Sequence, residues 1–158
     1  MRTEPEILNL IIDVAKEDER IRAVQMQGSR TNPNVLPDCF QDFDICYYVK
    51  DIDSFIENKN WIDVFGKRLM LQFLEVSDSI FLYSMLFTDG NRIDLVLLPE
   101  KTFEQGVGGN EDDEAVWLYT KDDLFKPRPP ATHARYNINP PGKKDYHLAI
   151  DFGGTLKM

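Results

Sequence analysis

The chain has 158 residues, 42% hydrophobic and 28% charged, which suits one globular domain with a substantial core. Its net charge of −9, from 27 acidic and 18 basic residues, opposes non-specific binding to nucleic-acid phosphates and suits a cationic ligand. No apolar run reaches the length of a bilayer span, and MRTEPEILNL lacks the basic and apolar regions of a signal peptide.

The two cysteines, Cys39 and Cys46, offer neither a disulfide framework nor metal-ligand spacing, as expected of a reducing compartment. A cytoplasmic protein, bound to neither membrane nor nucleic acid, is therefore the expectation.

In chain order, Thr3 and Glu6 form a capping box, and Ile7, Leu10, Ile11 and Val14 recur at helical spacing, predicting an amphipathic helix over 4–18. Residues 21–27, IRAVQMQ, read as a strand running into Gly28. The turn-rich stretch 30–41 reads as a loop. Residues 42–49 alternate, with Phe43, Ile45, Tyr47 and Val49 on one face and Asp42, Asp44, Cys46 and Tyr48 on the other, which predicts a strand. Asp53 and Ser54 are candidate caps for a short helix through Glu57, and a second helical stretch is expected over 61–65, before Gly66.

Strands are predicted at 68–75, 79–88 and 91–98, the last two joined by a tight hairpin at Asp89-Gly90. A short helix at 101–105, an acidic loop at 106–114 and a last strand, AVWLY, complete a domain over residues 1–125. Residues 126–158 hold five of the nine prolines and read as a linker or tail. The expected fold is α/β, a mixed twisted sheet with helices mainly on one face and the acids on the other.

The informative constellation is Gly28-Ser29, a loop, then Asp42-Phe43-Asp44. Glycine lets the backbone approach a ligand closely and turns N–H groups toward phosphate oxygens, and the Ser29 hydroxyl can add a hydrogen bond. Acids at i and i+2 of a strand project to one side with Cα atoms roughly 6.5–7 Å apart. Left bare, they repel by about 2.5 kcal/mol at an effective dielectric near 20. Mg²⁺ would remove that penalty, and an all-oxygen ligand set favours it over zinc. The third acid, Asp94, stands mid-strand before Val96, Leu97 and Leu98, where an ionised carboxylate needs a partner or a metal. It could complete the metal site or take a proton from an attacking hydroxyl.

Taken singly, each feature has a plainer explanation. Gly-Ser is a common turn dipeptide, Asp-x-Asp can be the solvated face of an edge strand, and Asp94 can be an ion-pair partner of Arg92 or of a lysine. Their order along the chain favours the joint reading. His133 and His147 have no triad partner, 106–109 lacks the strand-to-helix context of a dinucleotide fingerprint, and Trp61 and Trp117 read as packing residues.

These residues resemble the nucleotidyltransferase superfamily pattern. The stretches AKEDERIRAV, QGSRTNPN, FQDFDICYYV, ENKNWIDVFGK and FTDGNRIDL resemble, more specifically, the aminoglycoside 6-adenylyltransferase (streptomycin adenylyltransferase) family. The likeness is strong over residues 1–100 and looser over 100–146. It implies transfer of AMP from ATP to a hydroxyl of an aminoglycoside, streptomycin, with release of pyrophosphate. It also implies Mg²⁺ as cofactor, phosphate binding by Gly28 and Ser29, with Arg30 beside them, metal binding by Asp42 and Asp44, and Asp94 as third carboxylate.

The family continues into a helical second domain that LAIDFGGTLKM does not resemble, so that domain is expected to be absent here. An oligomer could then complete the acceptor pocket. The alternatives are a remnant that binds nucleotide and metal without transfer, and a small nucleotidyltransferase with another acceptor.

Overall fold

A computed structural model describes residues 1–104 and 115–121. Helix α1 (Glu4–Glu17) begins as its sequence demands, with Pro5 in the first turn and the Glu6 carboxylate accepting the Thr3 backbone N–H at 2.7 Å. Its stripe of Ile7, Ile11 and Ala15 is fully buried, and Asp18 closes it by donating its N–H to the Val14 carbonyl.

Six strands follow: β1 (Ile21–Gln27), β2 (Phe43–Val49), β3 (Arg68–Ser77), β4 (Ile80–Phe87), β5 (Arg92–Pro99) and β6 (Val116–Thr120). They form one sheet in the order β3-β4-β5-β2-β1-β6. Among the described residues only β2 and β5 run parallel and every other pairing is antiparallel, so the sheet is mixed as expected.

One face of the sheet carries the main core. Phe43, Ile45, Tyr47 and Val49 of β2, with Ile93, Leu95 and Leu97 of β5 and Tyr83 and Met85 of β4, form one buried cluster with Ile7, Ile11 and Ala15 of α1. The Tyr47 hydroxyl, buried in that layer, donates to the Ile11 carbonyl at 2.7 Å, so the polar group has a partner. Helix α2 (Asp53–Glu57) and a 3-10 helix, Lys59–Phe65, cover the same face through Phe55, Ile62 and Phe65. Trp61 packs among Tyr47, Phe55, Phe65 and Tyr83, the packing role expected of it.

Three details differ from the sequence expectation. Asp53 and Ser54 are the first two residues of α2 rather than its cap; the cap position is Ile52, and Asp51 before it accepts the Ser54 N–H at 3.3 Å. The second face of β2 is polar only at its start. Cys46 and Tyr48 are buried there with Ala23 and Leu98, because Phe103 of α3 (Lys101–Glu104) and Trp117 of β6 cover them. Strand β2 begins at Phe43, so Asp42 belongs to the loop before it.

The Asp89-Gly90 turn joins β4 to β5, with Gly90 at φ 86° and the Phe87 N–H bonded to the Asn91 carbonyl. The acidic loop 106–114, both histidines and the tail from residue 126 lie outside the described residues. No helix among the described residues is long and apolar enough to cross a membrane.

Candidate active site

The parallel pairing of β2 with β5 sets Asp44 directly beside Asp94, and the antiparallel pairing of β1 with β2 sets Gln27 on the other side of Asp44. All three lie on the face opposite α1, since their neighbours Met26, Ile45 and Leu95 belong to the main core. Asp42 completes the group from the loop. One carboxylate oxygen from each of Asp42, Asp44 and Asp94 lies within 4.8 Å of the others, and all three residues are half-buried. The donor set is entirely oxygen, which fits a hard divalent cation such as Mg²⁺ and suits a soft one poorly.

Three like charges so close should resist full ionisation. Burial, with the Asp42 and Asp94 charges beside it, pushes the Asp44 carboxyl up from 3.8 to about 6, against the pull of Arg92 and Arg30.

Asp94 is held from two directions. The Ser84 hydroxyl on β4 donates to Oδ1 at 2.5 Å, and Arg92 reaches both oxygens, with Nε 3.1 Å from Oδ1 and Nη2 2.6 Å from Oδ2. Arg92 Nη1 also stands 3.8 Å from Asp42 Oδ2. The sequence paired Arg92 with Asp94 as a plain alternative to the metal role; the structure places that ion pair inside the acid cluster. Ser84 escaped notice because nothing local marks it. The hairpin register that sets it opposite Asp94 was its signal.

Gly28 follows β1 directly and opens a 3-10 turn, Gly28–Thr31, at φ 76°, a conformation that L side chains rarely adopt. Its neighbour across the site is the Asp44 carboxylate: a Cβ at position 28 would lie 2.0 Å from Asp44 Oδ2. The glycine therefore makes room for the Asp44 carboxylate. Gly28, Gln27, Asp44, Asp94, Leu82 and Val96 line an open cleft of about 360 Å³.

Ser29 and Arg30 fall outside that cleft, lining a neighbouring hollow with Glu4, Asn32 and Gln41. The Arg30 guanidinium is occupied at every nitrogen. Nε donates to the Asp42 carbonyl, Nη2 to the Gln41 carbonyl and Nη1 to Glu4, each at 2.8 Å, and its carbon sits 3.8 Å from the Phe43 ring centroid. With its side chain 12% exposed, Arg30 holds the chain entering β2.

A model of the family described as streptomycin adenylyltransferase matches residues 1–151. The chain belongs to that family. Aminoglycoside 6-adenylyltransferases are among its relatives. One from Bacillus subtilis is 39% identical over 153 residues, covering 92% of this chain and 54% of the relative. One from Campylobacter jejuni is 40% identical over 150 residues, covering 91% and 51%, and one from Staphylococcus aureus is 30% identical over 154 residues, covering 93% and 54%. The crystal structure of the aminoglycoside 6-adenyltransferase from Bacillus subtilis superimposes with a TM-score of 0.62 at 34% identity, covering 80% of this chain and 44% of that one. The chain thus spans about half the length of the curated relatives it matches.

Proposed function

We propose that this streptomycin adenylyltransferase family chain carries the nucleotide- and metal-handling half of an adenylyl transfer from ATP to a hydroxyl of a cationic aminoglycoside, streptomycin, in the cytoplasm. The observation that carries this reading is the meeting of three carboxylates within 4.8 Å, two of which, Asp44 and Asp94, line a cleft together with Gly28. Asp42, Asp44 and Asp94 would hold Mg²⁺, which when bound offsets negative charge on the triphosphate and the departing pyrophosphate.

The chain's own residues do the rest. Gly28, with no side chain and an exposed backbone, allows a phosphate to approach the end of β1, and the Ser29 hydroxyl follows directly in the chain. In the transfer, the acceptor hydroxyl oxygen bonds to the α-phosphorus as the bond from that phosphorus to the bridging oxygen breaks, and pyrophosphate leaves. The hydroxyl proton passes to a carboxylate of the site, and Asp94 lines the cleft with Ser84 holding it in place. Arg30 acts at one remove, fixing the backbone at Asp42.

The acceptor requires more wall than these residues supply. A drug-sized ligand has about 70–90% of its surface buried when bound, and the cleft described is open. A neighbouring subunit would supply further carboxylates to a multiply cationic sugar. The net charge of −9 favours such an acceptor over a nucleic acid.

The test is incubation of the purified protein with ATP, Mg²⁺ and streptomycin, reading AMP-modified drug by mass spectrometry and pyrophosphate release in parallel. Formation of the adduct, lost in Asp44→Asn, supports the reading. Nucleotide binding with no adduct from any aminoglycoside would leave the nucleotide half standing and remove the proposed acceptor.

A further inference from the structure

We infer that Arg92 is the resident counter-cation of the acid cluster, displaced when a divalent cation binds and then turned toward the phosphates of the nucleotide. The inference rests on the metal reading of Asp42, Asp44 and Asp94.

Its basis is a competition for the same oxygens. The Arg92 fork takes both carboxylate oxygens of Asp94, at 3.1 and 2.6 Å, and its remaining nitrogen lies 3.8 Å from Asp42 Oδ2, so one guanidinium spans two of the three acids. Asp94 Oδ1 is also taken by Ser84, which leaves Oδ2 as the oxygen a metal would use, and Arg92 Nη2 sits on it. A divalent cation on that oxygen's remaining lone pair stands beside the guanidinium, and the repulsion between the two cations drives the arginine off.

The two arginines near the site differ in freedom to move. Arg30 is 12% exposed and tied by two carbonyls, a carboxylate and a ring. Arg92 is 50% exposed, and both acids that it meets are parts of the cluster itself. An ion pair that open to water is worth little, so exchange for a divalent ion is cheap. Freed from Asp94, the guanidinium remains on the first residue of β5, two positions from a cleft-lining acid. There its planar fork matches phosphate oxygens bidentately, as an ammonium cannot. The residue would thus neutralise the acids before loading and the nucleotide after it.

The experiment titrates Mn²⁺, read as loss of the free-ion electron paramagnetic resonance signal, into wild type, Arg92→Gln, Arg92→Lys and Asp44→Asn without nucleotide. It then measures ATP affinity at saturating Mn²⁺. Arg92→Gln should bind Mn²⁺ about two- to fivefold more tightly than wild type, the range set by loss of a half-exposed ion pair. Its ATP affinity should fall at least about tenfold, the worth of a charge-assisted hydrogen bond. Arg92→Lys keeps the charge without the fork, guards against a folding defect, and should fall between the two in both readings. Unchanged or weaker Mn²⁺ binding in Arg92→Gln, with a metal-free melting temperature like that of wild type, overturns the exchange. Failure of wild type to bind Mn²⁺, or equal binding by Asp44→Asn, would instead sink the metal reading and the inference with it.

Discussion

Gly28 and Asp44 are complementary parts of one site: a Cβ at position 28 would stand 2.0 Å from Asp44 Oδ2 and 2.8 Å from its carboxyl carbon. The glycine also sits at φ 76°, where an L side chain is strained. Gly28→Ala should therefore displace the Asp44 carboxylate and strain the turn at once. Ser29→Ala removes a single hydroxyl, at a cost of at most about 1.5–3 kcal/mol for a charge-assisted hydrogen bond. Calorimetry with Mg²⁺ and ATP should rank the alanine at 28 as the more damaging; the reverse order would contradict the close approach described.

Asp44 makes the site sensitive to pH. Its carboxyl is raised from 3.8 to about 6 in the folded protein, so the folded state binds the proton more tightly than the unfolded chain. The sign follows: the contribution to stability is full below about pH 4 and is lost as pH rises through about 6. Metal-free melting curves of wild type should show this loss relative to Asp44→Asn, whose amide carries no charge. Metal affinity should move the other way, rising from pH 5 to pH 7 as the competing proton leaves.

The N-terminus is anchored to the β4–β5 turn by the opposite kind of shift. Arg2 Nε lies 2.7 Å from Asp89 Oδ2, its backbone N–H is bonded to the same oxygen, and Nη1 donates to the Phe65 carbonyl. The hydrogen bonds from Arg2 hold the Asp89 carboxyl well below the usual carboxylate range. Its contribution is present above the ordinary carboxylate pKa and lost as pH falls through the depressed one. Asp89→Ala should cost roughly 1–2 kcal/mol near pH 7 and less at strongly acid pH, by urea denaturation at both.

Ser84 tests whether Asp94 must be held as well as present. Ser84→Ala deletes the 2.5 Å bond to Asp94 Oδ1 and removes a nearly buried hydroxyl. Adenylyl transfer should slow by about tenfold or more, the worth of a hydrogen bond to a charged group, while the melting temperature stays within a few degrees of wild type. An unchanged rate would leave Ser84 a packing residue.

The elements were legible because their periodicity is local. Ile7, Ile11 and Ala15 recur on one helical face, and Phe43, Ile45 and Tyr47 alternate, so α1 and β2 could be read from single windows. What joins elements was harder to see. Trp117 and Phe103 bury Tyr48 and Cys46 from more than fifty residues downstream, so an alternation that reads as half-solvated became a second small core.

The candidate site divided along the same line. The order Gly-Ser, Asp-x-Asp, Asp is visible along the chain. Its closure depends on the parallel pairing of β2 with β5, which the local pattern does not specify. Ser84 depended on loop length. With Phe87 bonded to Asn91 across three residues, Ser84 falls opposite Asp94, whereas a two-residue turn would have set Leu95 there. The partners of Arg30, Glu4 and the Gln41 and Asp42 carbonyls, lie too far along the chain for any local pattern to reveal them.

The most direct test of the acid cluster is ATP binding by calorimetry to wild type, Asp42→Asn and Asp44→Asn, each in Mg²⁺ and in excess chelator. Wild type should bind ATP in Mg²⁺ and lose that binding in chelator, and neither variant should gain affinity when Mg²⁺ is supplied. Equal ATP affinity with and without the metal, or Mg²⁺-dependent binding that survives both substitutions, would contradict a metal-dependent nucleotide site built on Asp42, Asp44 and Asp94.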